Sequence, residues 1–547
     1  MKNSLLTFFG LATLGSAVAQ QTPSPSWTIS QNASFSITSA GVRFLDAVDQ
    51  NTVWLLGYDG TAPGLDYNWW SKTTNGGATY TSGNVYADTN TYVPANMEGI
   101  DGNVAWVASY LKASQDRGAI HKTTDGGATW TNMAAPNMFS VAGTSFVDFV
   151  SFLTPSVGIA LGDPINNDFE IYRTNNAGTS WTAVPGANIP NPLSGEYGLV
   201  NIYTKMGTTN YWYGTNKNRV YRSTDAGLTW SVSAQLTATA IGAVLGINDI
   251  AFIDPMNGFL EAYFGPTGNG TLTVWNTTDG GATWNMIPTV DANYGRNGVC
   301  GIPGTSWYAS AGAGNGNNII SFSMDNGVTW NSWGGANIQY LNVDFVSPTA
   351  GWAGSFSSPT LATQDGIYKY SGPSLLQPAS ANFTVSSAGC VSVGLQVGNS
   401  STGNPWPTYS WSVTPAAAIN NSTATNPIFT FTNTGTYTIT VAATNPSNTS
   451  TATRTVAVGL CTGIHENALS AQNINLYPNP ASDMLNIELP AVNAFSYQIA
   501  DVLGKSVING VVNDSRASIN TSSLGKGIYF ITVQSEGQKA TKKIIIE

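Results

Sequence analysis

The chain repeats one short phrase six times. It reads Thr-Thr-Asp-Gly-Gly-Ala-Thr-Trp from Thr123 to Trp130 and recurs nearly letter for letter from Thr277 to Trp284. Looser copies run Thr73 to Tyr80, Thr174 to Trp181, Ser223 to Trp230 and Ser323 to Trp330. Their acidic or amide residues are Asn75, Asp125, Asn176, Asp225, Asp279 and Asp325, at intervals of 50, 51, 49, 54 and 46 residues. A turn phrase at a period near 50 marks one supersecondary unit repeated in an array.

Each copy reads as a turn between two strands. The Asp or Asn can accept backbone N–H groups two residues on, glycine supplies positive φ without a Cβ clash, and the closing Trp or Tyr covers the turn. The phrase resembles the Asp box, the sialidase-type BNR repeat Ser/Thr-x-Asp-x-Gly-x-Thr-Trp. That resemblance implies a β-propeller with the box on the rim between the two outer strands of each blade, in a structural role. It does not extend to sialidase activity: Arg43 lacks the Phe/Tyr-Arg-Ile-Pro context of that family, and Arg173 and Arg222 stand just before boxes.

Two or three strand-like runs precede each box, and a seventh set follows the last one, at 342–346, 351–354 and 366–370. It lacks a closing strand, which Ser26-Trp-Thr-Ile29 can supply from the other end of the chain. The expectation is an all-β chain with seven blades closed by its own N-terminal strand, leaving no free sheet edge.

At 547 residues the chain is too long for one core. Residues 1–19 read as a secretory signal, with Lys2, an apolar run and the small-residue site Ala17-Val-Ala19. The propeller is assigned to 20–371, a linker to 372–379, a β-sandwich to 380–461, a second linker to 462–472 and a terminal domain to 473–547. Residues 20–371 hold 12 Lys+Arg against 23 Asp+Glu. That acidic balance, with no basic stripe, argues against nucleic acid and anionic membranes. A monomer with no cofactor, metal or membrane span is expected. Cys390 and Cys461 bracket the middle domain and could bridge it; Cys300 reads as a buried thiol.

The middle segment has strand alternation at Thr408–Val413 and Thr436–Val441. Its Gly435-Thr-Tyr-Thr-Ile-Thr-Val-Ala-Ala-Thr-Asn445 resembles the PKD β-sandwich, although Thr414-Pro415 stands where that family has Gly-Asp-Gly. The resemblance implies an Ig/PKD-like spacer or adhesion module. In the tail, Tyr477-Pro-Asn-Pro480, Asp501-Val-Leu-Gly-Lys505, Leu524-Gly-Lys-Gly-Ile-Tyr529 and Lys542-Lys-Ile-Ile545 follow the order of the type IX secretion sorting domain. That resemblance implies a small C-terminal β-sandwich, export across a Bacteroidetes-type outer membrane, contact with the secretion machinery, and an extracellular or surface location.

The hydrophobic pattern of the innermost strands aligns Asp46, Asp101, Asp148, Asn201, Ala251, Cys300 and Asp344 at one channel-facing position. Four of these are carboxylates, which either hydrate the channel or form an acidic funnel. For hydrolysis the candidate acids are Glu196, Glu98 and Asp163, which would have to face one another about 5–9 Å apart. Tyr197, Trp212, Trp69, Trp70 and Arg296 are candidates for a glycan or protein ligand on the face opposite the boxes, where loops sit on a rigid scaffold. Aromatics there could equally pack between blades. The leading expectation is a secreted or surface-displayed binding module, and the rival is a glycoside hydrolase acting on an extracellular polysaccharide.

Overall fold

In the computed structural model the described residues are 26–31, 33–35, 40–60, 68–88, 91–238, 240–266, 270–314, 317–334, 338–357, 366–460, 474–489, 494–535 and 538–547. The expected signal segment, the linker 462–472 and Cys461 lie outside them. The chain divides into two compact units, Met1–Ser386 with Gln396–Phe429 and Thr438–Thr455, and Ser387–Leu395 with Thr430–Tyr437 and Val456–Glu547.

The first unit is built from repeated antiparallel sheets of four strands. Among the described residues there are seven, with inner strands Ala40–Ala47, Tyr92–Gly99, Val147–Phe152, Gly198–Met206, Val244–Phe252, Gly298–Gly301 and Asn342–Ser347. Each inner strand contacts the next in chain order, and Asn342–Ser347 contacts Ala40–Ala47. Trp27–Gln31 pairs antiparallel with Ile367–Tyr370 as the outermost strand of the last sheet. A short strand from the chain's later part, Phe356–Ser357, adds to the inner edge of the first sheet.

Apolar clusters lie between successive sheets. Trp54, Trp70 and Met97 pack between the first and second sheets, and Trp106, Tyr110 and Phe152 between the second and third. Trp352 and Ile367 of the seventh meet Val42 and Leu55 of the first. The inner-facing rings are fully buried, and each such Trp contributes roughly 2–3 kcal/mol by burial. Lys72, Lys122 and Lys369 place ammonium groups 4.6, 4.7 and 5.0 Å from the Trp54, Trp106 and Trp352 rings.

The six repeated turns share one hydrogen-bond pattern. In the second, Thr123 Oγ1 donates to Asp125 Oδ1 (2.8 Å) and accepts from Gly127 N–H (2.8 Å), while Thr129 N–H donates to Asp125 Oδ1 (2.9 Å). The set recurs around Asn75, Asn176, Asp225, Asp279 and Asp325. Gly127 has φ +92°, and a Cβ at Gly178 would collide with the Trp106 ring, so two forces select glycine here.

In four of the repeats the basic or amide residue just before the turn reaches the next sheet's turn. Lys122 Nζ donates to Ala177 O (2.9 Å), Arg173 Nε to Ala226 O (2.8 Å), Arg222 Nη1 to Asp279 O (3.0 Å) and Asn276 Nδ2 to Asn326 O (3.1 Å). Lys369 Nζ closes the series onto Gly76 O (3.3 Å). Arg173 and Arg222 are therefore latches between sheets.

Also in the first unit, Phe383, Trp411 and Phe429 form an edge-to-face aromatic core. Asn404 Oδ1 accepts from Ser306 N–H (2.8 Å) and Ser306 Oγ (3.1 Å), tying this segment to the sixth sheet's turn. In the second unit, a three-stranded sheet (Asn475–Tyr477, Met484–Glu488, Arg516–Asn520) and a four-stranded sheet (Phe495–Asp501, Ser506–Val512, Gly527–Ser535, Gln538–Ile546) enclose Leu485, Ile499, Ile519, Ile531 and Ile544. Cys390 is disulfide-bonded and Cys300 is a free thiol.

Candidate functional site

The inner strands of the first unit surround a cavity of about 1250 Å³. Strand pairing fixes which side chains share a level on its wall. Asp46 pairs with Trp54, Glu98 with Trp106 and Asp344 with Trp352. The same register sets Thr204 opposite Trp212, Ala251 opposite Phe259 and Cys300 opposite Ala309, and on the third sheet Ser151, buried off the lining, opposite Ile159.

The hydrophobic pattern therefore holds for Asp46, Ala251, Cys300 and Asp344 and slips in the second and third sheets; in the fourth, Asn201 lines the cavity three residues from Thr204. Asp101 is not a wall residue. It is exposed in the turn after the inner strand, where its Oδ1 accepts from Asn103 N–H (2.6 Å) and Val104 N–H (2.8 Å). Asp148 is buried beside Gly198, away from the cavity lining.

Wall carboxylates are polar for a structural reason. Asp344 Oδ2 accepts from Ala47 N–H (3.0 Å), Asp249 Oδ2 from Val299 N–H (2.8 Å), Glu98 Oε1 from Phe152 N–H (3.2 Å), and Asp46 from Gly99 N–H. Each bond joins one inner strand to the next. Burial, then the Glu98 charge, raises Asp46 well above the usual carboxylate range. Burial outweighs the backbone hydrogen bonds, and at Asp344 the Lys205 charge as well, to push Asp344 up to about 6 and Asp249 up to about 7.

Two side chains of the fourth sheet reach across the third to the second. Lys205 forms an ion pair with Glu98 and donates to Phe152 O (2.8 Å). Tyr203, stacked on Phe149 at 4.2 Å, donates its hydroxyl to Glu98 Oε2 (2.8 Å). Burial works against the Lys205 charge, but Glu98 and Asp46 outweigh it and hold the ammonium above the usual lysine range. No local sequence signal announces this bridge, because its partners are far apart in the chain. On another part of the wall, Glu261 behind Asp249 accepts from Tyr294 Oη (3.0 Å) and from Asn248 Nδ2. Burial, then Asp249, pushes Glu261 up to about 8.

Of the candidate acids only Glu98 lines the cavity. Glu98 ends its inner strand on the cavity wall. Glu196 lies off the lining, fully enclosed, taking Arg219 Nη1 (2.7 Å), Thr215 Oγ1 (2.7 Å) and Leu193 N–H (2.7 Å). Asp163 is buried off the lining and accepts from Gly198 N–H (3.2 Å). Among the aromatic candidates, Trp212 is fully buried, stacked on Phe252 at 3.9 Å, and Trp70 packs on Trp54 at 5.5 Å. Neither presents a face to a ligand. Trp69 is half-buried against the apolar cluster of the first and seventh sheets, and Tyr197 is half-buried beside Asp163. Arg296 alone of the ligand candidates lines the cavity.

Among the described residues no cluster of His, Cys, Asp and Glu could hold a metal ion, and no helix is long and apolar enough to cross a membrane. His121 packs between Tyr86 and Tyr92, and burial depresses it to about 4.

Residues 475–547 match the secretion system C-terminal sorting domain. An endo-acting ulvan lyase of Formosa agariphila is 33% identical over 86 residues, which is 15% of this chain and 17% of the relative. This chain thus spans less than a fifth of that relative's length. Among solved structures, YCF48 bound to D1 peptide is similar at 16% identity and TM-score 0.42, covering 65% of this chain and 100% of that one. The GH74 xyloglucanase of Xanthomonas campestris has 10% identity and TM-score 0.42, covering 94% and 87%. A family PL25 ulvan lyase has 9% identity and TM-score 0.36, covering 61% and 94%. The tail of this chain is a secretion system C-terminal sorting domain, and the protein is exported by the type IX route to the extracellular space or cell surface.

Proposed function

We propose that this is a secreted or surface-attached binding module: a seven-bladed Asp-box propeller that engages a glycan or protein, followed by a PKD-like spacer and the sorting domain. The observation that carries this reading is the state of the acids. Glu196 is spent on Arg219, and Glu98 on Lys205 and Tyr203. Only Glu98 lines the cavity, and it is held there by Lys205 and Tyr203, whereas hydrolysis needs two carboxyls free to face each other across the substrate. A binding site needs only a preformed concavity with a few placed polar groups, and the cavity offers that.

The rival, polysaccharide cleavage, draws support from Asp46, a wall carboxyl raised well above the usual range by burial and then by the Glu98 charge beside it. The two are separated by incubating the full chain with a panel of plant, algal and host polysaccharides. Mass spectrometry would detect soluble products, and affinity electrophoresis would detect retention. Retention without products is expected. New oligosaccharides, lost in Glu98→Gln, would reverse the reading.

A further inference from the structure

Among the described residues the carboxyls of the cavity wall are self-satisfied, and the Arg296 guanidinium is not. Asp46, Asp249 and Asp344 each accept a backbone N–H from the neighbouring inner strand, and Glu98 is taken by Lys205. Arg296 lines the same cavity yet is exposed, which places it at the mouth. Its main-chain N–H donates to Asn317 Oδ1 (3.0 Å). Among the described residues its guanidinium donates no hydrogen bond and joins no ion pair. Glu261 is near enough to act on it electrostatically. That carboxyl is held near 8 by burial and by Asp249, so at neutral pH it is protonated and leaves the guanidinium charge standing.

An exposed, unspent guanidinium in a concavity is a fork for a planar or tetrahedral oxyanion. The same lining holds the Tyr263 ring and three asparagines. Asn317 uses both ends of its amide, on Arg296 N–H and Tyr294 O (2.9 Å). Asn248 donates its Nδ2 to Glu261 and Asn297 accepts Ala313 N–H (3.2 Å), which leaves Asn248 Oδ1 and Asn297 Nδ2 for a ligand. Amide side chains can both donate to and accept from hydroxyls, and an aromatic body offers a flat apolar face. Hydroxyls beside an acid group describe a sugar better than a peptide. The chain as a whole carries a net charge of −10, so a polyanion gains nothing from its general surface and must rely on a specific positive contact.

We propose that the mouth of the cavity binds an acidic sugar residue of a glycan, its carboxylate or sulfate on Arg296 and its hydroxyls on the neighbouring asparagines. This rests on the binding reading above and names the ligand class for it.

The test is calorimetry on the full chain with four probes: oligogalacturonate, a sulfated galactan oligosaccharide, a neutral xyloglucan oligosaccharide and a poly-glutamate peptide. The variants are Arg296→Ala, Arg296→Lys and, as a charge control on the tail, Lys505→Ala. The expected result is binding of one acidic oligosaccharide, weakened at least about tenfold by Arg296→Ala. Arg296→Lys should recover part of the loss, and Lys505→Ala should change nothing. Both Arg296 variants should keep the parent melting temperature, since the side chain is exposed. A neutral oligosaccharide bound equally well in Arg296→Ala would overturn this inference and leave the binding reading standing. Poly-glutamate bound as tightly, with the same loss, would replace the glycan by an acidic peptide. No heat with any probe would overturn both the inference and the glycan reading beneath it.

Discussion

Asp249 offers the sharpest test of the cavity wall. Its carboxyl accepts from Val299 and Ile250 N–H (both 2.8 Å) and burial pushes it up to about 7. An unfolded Asp titrates near 3.9. Because the folded value is raised, the stability linked to this group is fully present below about pH 4. It is lost as pH rises toward 7, where the unfolded chain alone has given up its proton. A shift of about three units at 1.36 kcal/mol each sets a ceiling of about 4 kcal/mol. The carboxyl is part-exposed to the cavity, so water there reduces the working figure to about 2 kcal/mol. Asp249→Asn keeps an oxygen for the Val299 N–H and cannot ionise. In thermal melts of the full chain, the variant should match or fall below the parent at pH 4.5 and exceed it by a few degrees at pH 8. It should also lower the Glu261 value, whose second cause is Asp249. A variant destabilised equally at both pH values would refute the reasoning, because Asp249 would then be ionised in the fold.

Three further outcomes follow from the same geometry. Glu196→Gln should cost about 3 kcal/mol in denaturant unfolding, because it leaves the buried Arg219 guanidinium without its counter-charge; a variant of parental stability would show that pair to be dispensable. Arg222→Ala removes bonds to Asp279 O and Gly280 O (2.9 Å) on the next sheet, and should lower stability by about 1–2 kcal/mol while leaving ligand affinity unchanged in calorimetry. Trp106→Ala empties the ring's place between the second and third sheets, where it stacks on Phe152 at 4.6 Å. The expected loss is about 3–5 kcal/mol, read as a fall in the midpoint of chemical unfolding.

Much of the repeat architecture was legible because it is written locally. Each repeated turn closes through bonds between residues two and four apart, such as Thr123 to Asp125 and Thr123 to Gly127, so the phrase carries its own geometry. The tail motifs were legible for a like reason: several short phrases in fixed order. The wall of the cavity was less so. Bulges interrupt the inner strands at Pro94/Asn96, Val147/Phe149 and between Gly198 and Tyr203. Bulges also fall in the first and fifth sheets, where the pattern holds, so alternation of faces is no steady guide on these strands. The pattern is off by three residues in the second and third sheets, choosing Asp101 and Asp148 where the pairing sets Glu98 and Ser151. In the fourth it picks Asn201, three residues from Thr204 on the same lining.

The chain by itself determined the strands, the turns between them and the route of export, since these rest on neighbouring residues or on contiguous motifs. Only the tertiary structure decided which of the candidate acids are spent and that, among the described residues, the Arg296 guanidinium makes no hydrogen bond or ion pair. Lys205 meets Glu98 across an intervening sheet, Arg219 encloses Glu196, and Arg296 is left at the cavity mouth. Charge neutralisation depends on distance in space, and for residues a hundred positions apart that distance is set by how the sheets close around the cavity.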